Sequence, residues 1–151
     1  VPPWARWEYW RDQERTSQAW RPPTVDGSYG AFSVKDLGRL DTDGYLYLDG
    51  RRDDLIITGG VNVYPAEIES VLADAPGIAQ VAVFGVDDPQ WGQRVCAAVV
   101  GDATEATLTA FAREHLAGHK RPKQYFFLDE LPHTATGKLQ RNALVGMLGL
   151  G

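Results

Sequence analysis

The stretch from Pro65 to Val100 constrains the fold more than any other part of the chain. Ile68, Val71, Leu72 and Ala75 recur at i, i+3, i+4 and i+7, which gathers them on one apolar face of a helix. Pro65 stands at its first position, where a missing N–H costs nothing. Glu67 and Glu69 lie near its N-terminus, where the helix dipole favours them, and Pro76-Gly77 closes it. Two strand-like runs follow, Ile78 to Val86 and Arg94 to Val100, joined by the loop Asp87-Asp88-Pro89-Gln90-Trp91-Gly92. Val81, Val83 and Phe84 are expected to point inward. A one-faced helix beside two strands needs a sheet to lie on, so helix-covered sheet is the expectation.

The flanking segments agree. Asp43-Gly44 reads as a turn before a strand, Tyr45-Leu46-Tyr47-Leu48, and Gly50 to Asp54 reads as a polar connection. Leu55-Ile56-Ile57 is a further strand, ended by Gly59-Gly60, with Val61-Asn62-Val63 extended after it. Asp102 and Glu105 form a capping-box pattern for a helix to about Leu116, with Leu108, Phe111, Ala112 and Leu116 on its apolar face. A last strand, Tyr125 to Leu128, leads into the loop Pro132 to Gly137. A helix from about Lys138 would then bury Leu139, Leu144 and Met147. The fold class is therefore α+β: a short β-hairpin plus a small mixed sheet flanked by helices.

The first 35 residues differ in character. Trp4, Trp7 and Trp10 recur every three residues, and four of the five tryptophans fall within the first 20 positions. Such a stripe reads as a helical turn packing on a partner surface, either this chain's own sheet or a second copy. Thr16 to Arg21 could continue as a short helix until Pro22-Pro23. With Val1-Pro2-Pro3 at the start, the chain is expected to be a piece of something longer.

Charge and cysteine content narrow the function classes. Fifteen Lys+Arg against 20 Asp+Glu leave a net charge of -5, which speaks against non-specific binding of nucleic acid or an anionic membrane. One cysteine, Cys96, can form no internal disulfide, as suits a reducing cytoplasm. His115, His119, His133 and Cys96 lack metal-ligand spacing, so no metal site is expected.

Three stretches carry candidate chemistry. Gly137-Lys138 is not a P-loop, because Pro132 occupies the place of its first glycine and Leu139 that of its Ser/Thr. What remains is Pro132-x-Thr134-x-x-Gly137-Lys138-x-x-Arg141, a bent loop that could present a lysine to an anion. Gly50-Arg51-Arg52-Asp53-Asp54 reads either as a salt-bridged turn or as something more specific. Gly59-Gly60 is a tight turn, or backbone kept bare for a passing ligand. Lys120, Arg121 and Lys123 form a basic run, read first as a solvated face.

Taken in order, Gly50-Arg51-Arg52-Asp53-Asp54-Leu55-Ile56, Gly59-Gly60, Pro65-Ala66-Glu67-Ile68-Glu69 and Pro132-His133-Thr134-Ala135-Thr136-Gly137-Lys138 resemble the adenylate-forming superfamily. Its members include acyl-CoA synthetases, peptide-synthetase adenylation domains and firefly luciferase. Tyr9-Trp10 through Arg21, Phe32 through Gly38, and Leu116 to Pro122 extend the similarity over nearly the whole chain. The resemblance implies that residues 1–50 are the tail of a large N-terminal AMP-binding domain and 51–151 the small C-terminal domain.

The resemblance also assigns roles. Family members join a carboxylic acid to ATP, giving acyl-AMP and pyrophosphate, and a thiol, commonly coenzyme A, then displaces AMP. Lys138 matches the adenylation lysine, Asp36 and Arg51 the pair on the ribose hydroxyls, and Asp53 the hinge on which the small domain swings. Gly59 and Gly60 match the pantetheine channel. Lys120, Arg121 and Lys123 become candidates for CoA phosphate contacts. Mg2+ is expected to be held mainly by the N-terminal domain. Around Asp36 the family's Thr-Gly-Asp is replaced by Val34-Lys35-Asp36, and the Ser/Thr/Gly-rich phosphate loop and acid pocket are missing from these 151 residues. The implied protein is a cytoplasmic ATP-dependent acid–CoA ligase acting on a small carboxylic acid, without nucleic-acid or membrane partners. By itself this piece is expected to be inactive, with its Trp-rich segment a candidate for self-association. A peptide-synthetase-type fragment, or a non-catalytic module docking on a separate subunit, are the alternatives.

Overall fold

A capped helix of seven residues opens the described part of the chain, which in this computed structural model comprises residues 8–21 and 31–150. Asp12 caps α1 (Gln13–Ala19) by accepting from the Arg15 N–H at 2.9 Å, so the helix starts before the expected Thr16. It stops where Trp20 becomes extended and pairs with Phe32, joining β1 (Trp20–Arg21) to β2 (Ala31–Phe32). Trp4 and Trp7 lie outside the described residues. Trp10 sits in a turn with 83% of its surface exposed and the Arg11 guanidinium 5.4 Å from its ring, so it joins no core within the first unit.

Residues 36–51 form an antiparallel hairpin of β3 (Asp36–Leu40) and β4 (Leu46–Arg51). Its turn closes because the Asp41 carboxylate accepts from the N–H groups of Tyr45 and Asp43, with Gly44 at φ 86. The Tyr45 N–H in particular holds the Asp41 carboxyl below the usual carboxylate range. β4 continues through Gly50-Arg51, residues expected as a polar connection, because β3 supplies a ladder partner that far along. Leu40, Tyr45, Leu46 and Leu48 are exposed.

The chain divides into two compact units, Val1–Arg52 and Asp53–Gly151, and a 3-10 turn (Arg52–Asp54) runs through the division. The second unit contains β5 (Ile56–Thr58), β6 (Val61–Val63), α2 (Pro65–Leu72), β7 (Ile78–Asp88), β8 (Gly92–Gly101), α3 (Glu105–His115), β9 (Gln124–Phe127) and α4 (Arg141–Met147). β7 and β8 pair antiparallel along their length. On its other side β8 meets β5 antiparallel at Thr58↔Gly92 and β9 parallel from Cys96 to Val99. β6 lies outside β5, leaving β7 at an edge. The sheet is mixed, as expected.

Both faces are covered. Ile68 and Leu72 of α2 and Leu108 and Ala112 of α3 pack with Val83, Val95 and Val99 on one face. Leu144 of α4 packs with Ala82, Phe84, Cys96 and Ala98 on the other. Val83 and Phe84 thus point to opposite faces, as the two-residue strand period demands, rather than sharing one inward side. This double burial explains why β7 and β8 read as nearly continuous apolar runs. Burial also pushes the Cys96 thiol pKa up, the Arg94 side chain opposing.

Two helix starts differ from expectation. Thr104, not Asp102, caps α3, its hydroxyl accepting from Thr107 N–H at 3.2 Å. Asp102 and Ala103 both donate their N–H groups to Gly77 O, which holds them in a loop joining the ends of β7 and β8. α4 begins at Arg141 instead of near Lys138, because Leu139 bridges to His133 and Gln140 N–H donates to Pro132 O at 2.9 Å. No helix among the described residues is long and apolar enough to cross a membrane.

Candidate functional site

Residues 132–140 close on themselves around one threonine. The Thr134 hydroxyl accepts from Lys138 N–H at 3.1 Å, Thr134 N–H donates to Lys138 O at 2.8 Å, and Gly137 N–H donates to Thr134 O at 2.9 Å. Gly137, at φ 79, takes the left-handed conformation this closure requires. Lys138 emerges at the exposed end of the loop, and among the described residues no ion pair holds its ammonium. A long, free cation on a fixed base is suited to meeting an anion brought to it.

Asp36 and Arg51, the expected ribose pair, are brought together. They are cross-strand partners at the end of the β3–β4 ladder, with Arg51 Nε 3.5 Å from Asp36 Oδ1. Lys35, just before, has φ 64, a left-handed conformation costly for a residue with a Cβ. Its carbonyl accepts from Arg52 N–H at 2.8 Å, which joins this bend to the 3-10 turn holding the exposed Asp53.

Gly59 and Gly60 form the β5–β6 turn with φ values of 57 and 78. Nothing lies within 4 Å of where a Gly60 Cβ would stand, so that side of the backbone is open. Gly59 is lined differently. Its N–H donates to Trp91 O at 2.8 Å, and a Cβ there would meet Trp91 Cε3 at 3.2 Å. In the sequence Trp91 reads only as part of the polar loop before Gly92, and its place against Gly59 follows from the pairing of β5 with β8.

Arg141 supplies the densest polar contact. Its Nε and Nη2 bind Glu69 Oε1 and Oε2 at 3.1 and 2.6 Å, and its Nη1 binds Asp54 Oδ2 at 3.1 Å. Among the described residues no group of three or more His, Cys, Asp or Glu is arranged to hold a metal ion.

Residues 67–138 match the AMP-binding enzyme C-terminal domain. They belong to that family. Over most of its length the chain is similar to the C-terminal portion of adenylate-forming superfamily enzymes. It is 46% identical over 140 residues to a 2-succinylbenzoate–CoA ligase of Geobacillus kaustophilus, covering 90% of this chain and 27% of that protein. A long-chain-fatty-acid–CoA ligase of Mycobacterium tuberculosis is 40% identical over 140 residues, 91% of this chain and 26% of its own length. Among solved structures, ATP-bound MatB from Rhodopseudomonas palustris superposes with a TM-score of 0.77 at 40% identity, over 92% of this chain and 27% of that one. The chain thus spans about a quarter of the length of the curated relatives it matches.

Within this AMP-binding C-terminal domain the basic run is unevenly committed. Lys120 is ion-paired to Glu67 of α2. Arg121 donates to the carbonyls of Leu116 and Arg113 at 2.8 and 3.0 Å, which satisfies the C-terminal end of α3. Lys123 is exposed, and its backbone N–H donates to Val95 O at 2.8 Å.

Proposed function

We propose that this chain is the lysine-presenting portion of an AMP-forming acid–CoA ligase, converting a carboxylic acid and ATP to acyl-AMP and then to an acyl-CoA thioester. The observation that carries the reading is Lys138 at the open end of a loop closed by Thr134. In the first half-reaction a carboxylate oxygen attacks the α-phosphate and pyrophosphate leaves. Two anions must approach, and the Lys138 ammonium offsets their charge where it develops. Asp36 accepts hydrogen bonds from the ribose hydroxyls and Arg51 donates to them.

For the second half-reaction, rotation about Asp53 withdraws Lys138 and brings the Gly59-Gly60 turn to the acyl-AMP. The thiol then attacks the acyl carbon and AMP leaves. The open backbone at Gly60 gives the pantetheine arm room to pass, with Trp91 against Gly59 as its wall. Asp53 suits a hinge because it begins the second compact unit and is exposed in a short turn. Of the basic run, Lys123 is the side chain most available to a CoA phosphate, since Lys120 and Arg121 already have partners. Mg2+ would be held mainly by residues outside this chain, as would the acid. The reaction belongs in the cytoplasm, where ATP, CoA and a reduced Cys96 coexist.

The test separates the half-reactions in the full-length gene product. Lys138→Ala is expected to slow acyl-AMP formation by about 10²–10³-fold, the loss typical of removing one group that stabilises transition-state charge, while thioester formation from supplied acyl-AMP persists. Equal loss of both steps would contradict the role given to Lys138. The 151-residue chain alone is expected to show no ATP–pyrophosphate exchange with any acid.

A further inference from the structure

Arg141 closes the motif Pro132-x-Thr134-x-x-Gly137-Lys138-x-x-Arg141, yet neither half-reaction above uses it. It is the first residue of α4, three positions beyond Lys138. α4 covers one face of the sheet and α2 the other, with β7 at the edge between them. Glu69 of α2 reaches that edge and accepts from Val83 N–H of β7 at 2.8 Å, while Arg141 holds both of its carboxylate oxygens. The same guanidinium binds Asp54, 87 residues away and immediately after Asp53.

All three side chains are largely withdrawn from water, Arg141 at 19% exposure, Glu69 at 16% and Asp54 at 28%. A two-oxygen contact of this kind fixes orientation as well as distance, which an ammonium cannot reproduce. α4 is only seven residues long, and Leu144 is its one fully buried side chain. Packing alone gives such a short helix weak control over its own first turn.

We propose that Arg141 is a positioning residue that locks the Lys138 loop to the hinge turn, so that rotation about Asp53 is delivered to Lys138 without slack. The proposal rests on the ligase reading above and adds a mechanical requirement to it. Asp54 is the first residue that moves with the small domain when Asp53 turns. Pinning Arg141 to Asp54 therefore sets the position of Lys138 relative to the rotation axis. β5 carries the same motion the other way: it starts just after Asp54 and ends at Gly59-Gly60, about 10 Å further on for three extended residues. Lysine loop and thiol-channel turn are thus tied to the two ends of the short stretch from Asp54 to Gly59.

The experiment uses Arg141→Lys, which keeps the charge, and Arg141→Gln, which removes it, in the full-length gene product. Both are expected to lower kcat for acyl-AMP formation by about 10- to 100-fold, the cost of a small misplacement of a reacting group, with KM for ATP nearly unchanged. Thioester formation from supplied acyl-AMP should stay within about twofold, since it does not use Lys138. Full adenylation activity in Arg141→Lys would overturn the proposal, and so would equal losses in the two half-reactions, which mark a merely structural role. Hydrogen exchange decides the coupling independently of any chemistry. Arg141→Gln is expected to speed exchange in both segments 52–56 and 132–140 beyond any change in the β7–β8 core, whereas Leu144→Ala, as a packing control, should speed it in α4 and the core beneath it without singling out 52–56. Exchange confined to α4 in Arg141→Gln would overturn the lock. If Lys138→Ala leaves acyl-AMP formation intact, the ligase reading of Lys138 fails and the functional half of the proposal falls with it. The exchange result still decides whether loop and hinge are joined.

Discussion

Asp36 and Arg51 face each other at the last rung of the β3–β4 ladder, Nε to Oδ1 at 3.5 Å, with both side chains substantially exposed at 38% and 50%. An ion pair so open to water adds about 0–1 kcal/mol to stability. In the proposed function the pair has a different use, holding a carboxylate and a guanidinium side by side for the ribose diol. Asp36→Asn and Arg51→Ala are therefore expected to leave the denaturation midpoint of the protein within error. Each should raise KM for ATP in pyrophosphate exchange by about 10- to 100-fold, the worth of one hydrogen bond to a charged group. A large stability loss with an unchanged KM would make the pair structural.

Two glycines with nearly equal φ separate steric need from functional need. Gly77, at φ 82, has Ala103 N 2.7 Å and Asp102 Oδ1 2.8 Å from where a Cβ would stand. Gly77→Ala must therefore both strain the backbone and push apart the junction of β7 and β8, at a combined cost of about 2–4 kcal/mol. Gly60, at φ 78, has nothing within 4 Å, so Gly60→Ala should cost only the backbone strain, about 1 kcal/mol after allowing for a stiffer unfolded chain. Chemical denaturation of the two variants measures the difference. Gly60→Trp should then impair thioester formation and spare adenylation, because the space it fills is the proposed path of the thiol arm.

The same contrast shows what the sequence could and could not disclose. α2, β7 and β8 were legible because period and punctuation agreed: Pro65 opens the helix, Pro76-Gly77 closes it, and two β-branched runs follow. Residues 36–40 were not legible as a strand, since Gly38 and the charged Asp36 and Arg39 weaken the pattern and only pairing with β4 makes them extended. Lys138 was visible through its neighbours in the motif. Glu69 was visible only as a charge near a helix start. Its role depends on Arg141 and Val83, 72 and 14 residues away, and no local pattern encodes such a meeting.

Leu144 and Lys138 lie within seven positions of each other and should fail in opposite ways. Leu144 has no exposed surface and anchors α4 on Phe84, Cys96 and Ala98. Leu144→Ala is expected to cost about 2–5 kcal/mol, the transfer term plus the cavity left behind. Lys138→Ala, at an exposed loop position, should stay within about 0.5 kcal/mol. Thermal unfolding of the two variants checks this directly. It also guards the kinetic test of Lys138, since a melted Lys138→Ala protein would lose both half-reactions for a trivial reason.

Tyr125 gives the protein an alkaline limit. Burial beneath α3 pushes its phenol up to about 12, the charge of Glu105 adding to the shift and a hydrogen bond with Thr109 opposing it. Its hydroxyl lies 3.4 Å from Leu108 O, a carbonyl that welcomes a proton donor and repels a phenolate. The folded protein thus binds this proton more tightly than the unfolded chain, whose tyrosines ionise near 10. The stabilisation is complete below pH 10 and is lost as pH rises from about 10 through about 12. Tyr125→Phe has no proton to lose there, so its stability should fall less steeply than that of the parent across the same window. Denaturant midpoints at pH 9, 10 and 11 in both proteins measure the difference in slope. Parallel curves would mean that Tyr125 ionises in the folded protein as readily as in the unfolded chain.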